Sequence, residues 1–198
     1  MKKILLGSNN KKKLHELEKL LAKSDYNIVT AKDLGITLPD VVEDGSTYEE
    51  NAAKKALAFN KFSGLPAIAD DSGLEVDALD GEPGIYSGRW SGENGENQSR
   101  ENNKKLLTLL QGVPFEKRTA KFVCVIVLAV DGEVKITTRG ECPGVIIEEL
   151  RGQGGFGYDP LFFLPKYDKT FAELTEVKSK ISHRAIALKK FEQKLSSL

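Results

Sequence analysis

Apolar and polar positions along this chain repeat with two different periods, and each change of period marks an element. "KILLG" at 3–7 is a short apolar run of strand length. "SNNKKKLHELEKLLAK" follows, with Leu14, Leu17, Leu20 and Leu21 at helical spacing and Asn9 or Asn10 placed to cap the start. "YNIVTA" returns to the strand pattern, and strand, helix and strand in that order predict a sheet with at least one parallel pair. "LPDVVEDGS" at 38–46 reads as a loop, and Ser46 with Glu49 fits a capping box for the helix "TYEENAAKKALAFNKF". Gly64 ends that helix and Pro66 follows it.

"AIA" at 67–69 is then a strand carrying Asp70 and Asp71 at its end, and "LEVDAL" resumes in extended form. Residues 80–100, rich in Gly, Ser and Asn, predict a long surface loop, and a helix covers about 97–111. "TAKFVCVIVLAV" at 119–130 is apolar on both faces, as a central strand is. "DG" at 131–132 turns it back through "EVKITTRGECPGVII". A glycine-rich loop at 152–157, the run "PLFFLP" and a last helix from near Ser182 complete the chain. The order predicts an α/β fold, a mixed sheet flanked by helices, in two lobes with an active-site cleft between them. No internal repeat or low-complexity tract interrupts it.

Composition narrows the class. A length of 198 residues suits one domain, 1–198, divided into two lobes. Hydrophobic content of 40% and charged content of 29% describe a folded globular chain. Lys+Arg and Asp+Glu are both 29, so the net charge is zero. Proteins that wrap nucleic acid carry a basic excess. The balance therefore argues against a polymeric nucleic acid partner and leaves room for a small anion held by a local basic cluster. The apolar run in "MKKILLGSNN" is too short for a signal peptide. No stretch approaches the roughly 20 apolar residues that span a membrane. A cytoplasmic protein without a membrane partner is expected. Cys124 and Cys142 flank the "DG" turn. A two-residue turn sets Val130 opposite Glu133 and points the two thiols to opposite faces, so no disulfide is expected. Two histidines and no CxxC spacing make a zinc site unexpected.

Five segments carry chemistry-bearing residues. "SNNKKK", Ser8, Asn9, Asn10, Lys11, Lys12 and Lys13, lies between a strand and a helix, where unpaired N–H groups attract anions. It also reads as an ordinary capped helix with solvated lysines. Glu43, Asp70 and Asp71 form an acidic set of the kind that holds magnesium, although "DDSG" is also turn-forming. Asn51 and Lys55 stand one helical turn apart on one side of a helix, which in isolation is as well read as solvent-facing. "GQGGFGYDP" at 152–160 offers glycines that allow close approach to a flat ligand, Phe156 to stack on a base and Asp159 to accept ring N–H groups. By itself it is also a plain loop. "KSKISHRAI" places Lys178, Ser182, His183 and Arg184 at the start of the last helix, with donors for a base carbonyl. His15 has no evident role.

"SNNxxK", "ENAxxKA", "ADDSGL", "PGIYSGR", "GGFGYDP" and "ISHR" occur in the order found in the inosine triphosphate pyrophosphatases. From about residue 3 to 192 the chain resembles that family, which hydrolyses non-standard purine nucleoside triphosphates such as ITP, dITP and XTP. Trp90 stands where close bacterial relatives often have Tyr, and Tyr158 where more distant eukaryotic relatives have Trp. The resemblance implies an elongated two-lobed fold, a homodimer, and cleavage to a nucleoside monophosphate and pyrophosphate. It implies that Ser8 to Lys13 bind the triphosphate, with Lys13 and Lys55 acting on phosphate charge. It implies Glu43 and Asp71 as Mg2+ ligands, Asp71 also as the base, and Asp70 and Lys55 in support. Ser72 is implied as a substrate contact. Phe156, Gly157, Tyr158, Asp159, Lys178, His183 and Arg184 are implied as the nucleobase pocket. Two other readings use similar residues: a non-catalytic nucleotide sensor, and a metal-dependent nuclease, against which the neutral charge counts.

Overall fold

A computed structural model of the chain describes residues 2–8, 14–15, 17–18, 26–93 and 95–197. The first apolar run forms β1 (Lys2–Leu6) and "YNIVT" forms β2 (Tyr26–Thr30). They pair in parallel with Leu5 opposite Val29, as the strand–helix–strand order predicts. Between them Leu14, His15, Leu17 and Glu18 are helical, and Leu17 is buried. Leu20, Leu21 and the capping Asn9 or Asn10 lie outside the described residues.

The remaining elements are α1 (Tyr48–Ser63), β3 (Ala67–Val76), α2 (Gln98–Leu109), β4 (Thr119–Val130), β5 (Glu133–Ile146), β6 (Phe162–Leu164), β7 (Lys169–Thr170), α3 (Thr175–Ile181) and α4 (His183–Leu195). One mixed sheet of seven strands results, ordered β2-β1-β3-β4-β5-β6-β7. β1 is also parallel to β3, whereas β6 is antiparallel to β5 and β7. Asp131 (φ 52°) and Gly132 (φ 80°) both take the left-handed conformation that a two-residue hairpin turn requires.

Contacts divide the chain into two compact units, each with its own apolar core. The first comprises Met1–Asp71, Cys124–Gly140 and Ile186–Leu198. Its core joins Ile4, Leu6, Ile68, Ile126 and Leu128 to Ala187, Leu188 and Phe191 of α4. Those α4 positions recur at helical spacing, so one stripe of the helix is buried. Its polar side reaches β5: Lys190 Nζ donates to Arg139 O at 2.7 Å and Lys194 Nζ to Thr137 O at 2.9 Å. β6 pairs with β5 farther along, at Val145 and Ile146. The second unit comprises Ser72–Val123 and Glu141–Ala185. Its core gathers Leu74, Leu106, Ile146 and the rings of Phe122, Phe162 and Phe171, which pack at centroid distances of 4.5–5.7 Å. Cys124 and Cys142 are buried thiols outside any disulfide, one in each core. Among the described residues no helix is long and apolar enough to cross a membrane.

Three local expectations are corrected. α1 is capped by Thr47, not Ser46: Thr47 Oγ1 accepts from Glu50 N at 3.1 Å, and the Glu50 carboxylate returns to Ser46 N at 2.7 Å. Starting one residue later buries Tyr48 and leaves Glu49 to pair with Arg139 at 3.0 Å. Asp70 and Asp71 do not end a strand but lie inside β3, which runs unbroken into the fully buried Leu74 and Val76. Successive strand residues face opposite ways, so the two carboxylates diverge. The last helix does begin beside Ser182, which is extended (ψ 158°) and whose Oγ caps α4 by accepting from Ala185 N, but a separate helix precedes it. Lys178 therefore sits on α3, not α4. The short strand β7 carried no pattern long enough to predict.

Candidate active site

In the first unit, the loop before α1 is tied to that helix residue by residue. Lys55 Nζ donates to Glu43 Oε2 at 3.0 Å, and Lys54 Nζ to Asp44 Oδ1 at 2.5 Å. Gly45 N donates to Asn51 Oδ1 at 2.8 Å, and Ser46 N to Glu50 Oε2. The helix partners are two pairs four apart, 50/54 and 51/55, which lie on one side of a helix. The sequence "ENAAKK" thus supplies a ladder for "EDGS". A Cβ on Gly45 would lie 2.6 Å from Asn51 Oδ1 and 2.8 Å from Glu50 Cβ, so the loop fits only because this residue has no side chain.

The ladder ends on an ion triple. Lys55 Nζ, already on Glu43, also donates to Asp71 Oδ1 at 3.0 Å. Asp71 is 8% exposed. Burial pushes its carboxyl up to about 6, opposed by the Lys55 charge and reinforced by repulsion from Glu43. Burial alone would lower the Lys55 pKa, but the two carboxylates outweigh it and hold the ammonium above its ordinary value. The second oxygen, Asp71 Oδ2, is buried with no hydrogen-bond donor among the described residues. A buried carboxylate oxygen without a donor is costly unless a cation meets it. Two convergent carboxylates with such an oxygen fit a hard cation such as Mg2+, which takes few protein carboxylates and completes its shell with water and phosphate oxygens. Among the described residues no group of three or more His, Cys, Asp or Glu is placed to hold a metal ion. Asp70 is half-buried on the face of β3 opposite Asp71, and Ser8 is half-buried just past β1. Asn9, Asn10, Lys11, Lys12 and Lys13 lie outside the described residues.

In the second unit the glycine-rich loop is built around Asp159, which is 2% exposed. Its Oδ2 accepts from Phe156 N at 2.9 Å and from Lys178 Nζ. Gly155 (φ 78°) passes so close that a Cβ would fall 2.0 Å from that oxygen. Asp159 thus ties the loop together through one of its two oxygens. Phe156 is left standing out, 64% exposed, with Lys178 Nζ 5.1 Å from its ring centroid. Asn103 Nδ2 of α2 donates to Gly157 O at 3.0 Å. Tyr158 is packed in the core, and its OH donates to Ser87 O at 2.9 Å; burial raises its pKa. His183 is buried and stacks on Phe122, with centroids 4.8 Å apart and planes at 17°. Arg184 and Ser72 are half-buried.

The predicted residues therefore fall into two sets, Glu43, Lys55 and Asp71 in the first unit, and Phe156, Gly157, Asp159 and Lys178 in the second. Sequence reasoning missed Asn103 and the Ser87 carbonyl. The one signal for Asn103 was a pair of asparagines, Asn102 and Asn103, on the buried side of a helix they disfavour.

Residues 4–194 match the Ham1 family. The chain belongs to that family. A protein of Desulforamulus reducens named dITP/XTP pyrophosphatase is 52% identical to this Ham1 chain over 99% of its length and 96% of the relative's. A HAM1 protein from Coxiella burnetii superposes with a TM-score of 0.91 at 39% identity, covering 100% of both chains. The Ham1 protein of Staphylococcus aureus gives 0.87 at 41% identity over 99% of both. The mixed open sheet described above is thus the Ham1 fold.

Proposed function

We propose that the chain is a nucleoside triphosphate pyrophosphatase that hydrolyses non-standard purine nucleoside triphosphates, dITP, XTP and ITP, to the monophosphate and pyrophosphate. What carries the reading is the Glu43–Lys55–Asp71 triple in a chain 52% identical to a protein named for dITP and XTP hydrolysis. The first set handles phosphate. Glu43 and Asp71 would hold Mg2+, which would shield triphosphate charge and acidify water. Asp71 orients the attacking water and takes its proton. Lys55, with Lys13 and its neighbours Ser8 to Lys12, offsets the charge that grows on the leaving pyrophosphate. Asp70, on the other face of β3, lies outside the triple; its supporting role and the Ser72 substrate contact rest on the family resemblance.

The second set reads the base. The exposed ring of Phe156 offers a stacking face, a contact worth about 1–3 kcal/mol. Lys178, His183 and Arg184 are the candidate donors to the keto oxygen at position 6, which adenine replaces with an amino group. A buried polar mismatch of that kind discriminates by about 10⁴–10⁵. Gly157, Tyr158 and Asp159 shape the wall that presents Phe156. The whole chain acts as one catalytic domain, in the cytoplasm, and as a homodimer; similarity to the inosine triphosphate pyrophosphatases supports the dimer.

The test is steady-state hydrolysis of dITP, XTP, ITP, ATP and GTP with Mg2+, reading phosphate with and without added inorganic pyrophosphatase. The proposal expects signal only with the added enzyme, and kcat/KM for dITP or XTP far above that for ATP. Binding without turnover would make the chain a nucleotide sensor. Degradation of a polynucleotide in preference to dITP would make it a nuclease.

A further inference from the structure

Phe156 is exposed, yet the backbone around it is held: its carbonyl accepts from Asp159 N at 3.2 Å. Its own N–H donates to the buried carboxylate of Asp159. The next residue's carbonyl, Gly157 O, accepts from Asn103 Nδ2 at 3.0 Å, across 54 positions of sequence. Gly157 has φ 60°, a conformation that ordinary residues avoid and that a glycine leaves readily unless something holds it. Asn103 is 7% exposed, and its Oδ1 is buried with no hydrogen-bond partner among the described residues. An apolar residue of similar volume would spare the fold that oxygen's desolvation. It would also take the donor from Gly157 O, but that residue is half-buried and its carbonyl can turn to water, so the two effects on stability oppose each other. The neighbouring Asn102 differs, because both ends of that amide are used: Nδ2 donates to Ser87 O and Oδ1 accepts from Ser91 N.

We propose that Asn103 is a positioning residue for base recognition, holding the Gly157 carbonyl so that the Phe156 ring is presented in a fixed orientation to the purine. The role rests on the proposed pyrophosphatase reading. A ring presented ready-made spares the bound state the ordering of a mobile glycine loop. Asn103 touches no reacting group, so its effect falls on substrate binding rather than on the chemical step.

The test compares wild type with Asn103→Leu, which removes donor and orphaned oxygen together, and Asn103→Asp, which keeps the size but removes the donor. Both are expected to raise KM for dITP by about five- to tenfold, as loss of one hydrogen bond implies, with kcat nearly unchanged. Amide exchange across residues 154–158, measured without nucleotide, should quicken in both, while Asn103→Leu keeps the wild-type melting temperature. Unchanged KM and unchanged exchange in a folded variant would overturn the proposal. So would parallel losses of kcat and melting temperature, which mark a residue that merely supports the fold. Should the wild type fail to hydrolyse dITP, the functional reading falls, and exchange alone still decides whether Asn103 anchors the loop.

Discussion

Replacing Gly45 by alanine tests whether the acidic loop is held by the α1 ladder. The added methyl would lie 2.6 Å from Asn51 Oδ1 and 2.8 Å from Glu50 Cβ, inside van der Waals contact for both. Neither neighbour can simply rotate away. Asn51 is 0% exposed and its amide accepts the Gly45 N–H, while Glu50 Cβ is fixed by the helix backbone. Overpacking of this kind costs about 1–3 kcal/mol. Loop movement relieves the strain but strands the buried Asn51 oxygen, which costs a similar 1–3 kcal/mol, so the two are alternatives rather than a sum. Alanine also lowers unfolded-chain entropy, worth about 0.4–1 kcal/mol in the opposite direction. The net expectation is a loss of about 1–2 kcal/mol, or roughly 3–6 °C in a chain of this size. Function should suffer more than stability, because Glu43 is only two residues from the displaced atom. Thermal melting by circular dichroism and dITP turnover across a Mg2+ titration measure both. In an Asn51→Ala background the same substitution should cost less, since one of the two clashes is gone. A Gly45→Ala protein that melts with the parent and keeps its Mg2+ dependence would refute the idea that this ladder sets the site.

Asp71→Asn is expected to bind dITP but lower kcat by about two to four powers of ten, as loss of a catalytic base does; turnover near wild type removes Asp71 from the chemistry. The same variant probes linkage in metal-free buffer. Burial raises the Asp71 pKa from 3.8 to about 6, so its contribution to stability is present below 3.8 and lost as pH rises through about 6. The melting temperature of Asp71→Asn should therefore gain on wild type across that window; a constant difference contradicts it. Burial also pushes the Cys142 thiol up to about 11, so at pH 8 it should react with a disulfide reagent far more slowly in the native protein than in guanidinium; prompt native labelling would show the thiol is not enclosed. Thr47→Ala should cost about 1 kcal/mol by removing the α1 cap, whereas Ser46→Ala at the sequence-predicted cap should retain the cap; the reverse order in urea denaturation would restore the original assignment.

The long apolar runs were legible because their period is set by burial alone. β1, β4 and α4 lie where alternation or helical spacing puts them. The "DDSG" segment was not, because Asp, Ser and Gly favour turns locally while strand pairing and the buried Leu74 and Val76 impose extension from outside. Lys55 was readable as one helical turn from Asn51, but its simultaneous hold on Glu43 and Asp71 depends on residues 12 and 16 positions away. Tyr158 and His183 were read as pocket residues from their motif. Their immediate partners are the Ser87 carbonyl and the Phe122 ring, contacts across 71 and 61 positions that no local pattern announces.

The two ammonium groups that α4 extends to Thr137 O and Arg139 O bear on what can add to β5 beyond the proposed dimer. An open strand margin invites another chain to add itself, and a lysine set against it repels that addition while using up the carbonyls. Acetylation of Lys190 and Lys194, or their joint change to glutamine, would remove both charges at once. The expected consequence is concentration-dependent oligomers growing from β5, visible by light scattering, with the chemistry of the acidic triple left intact.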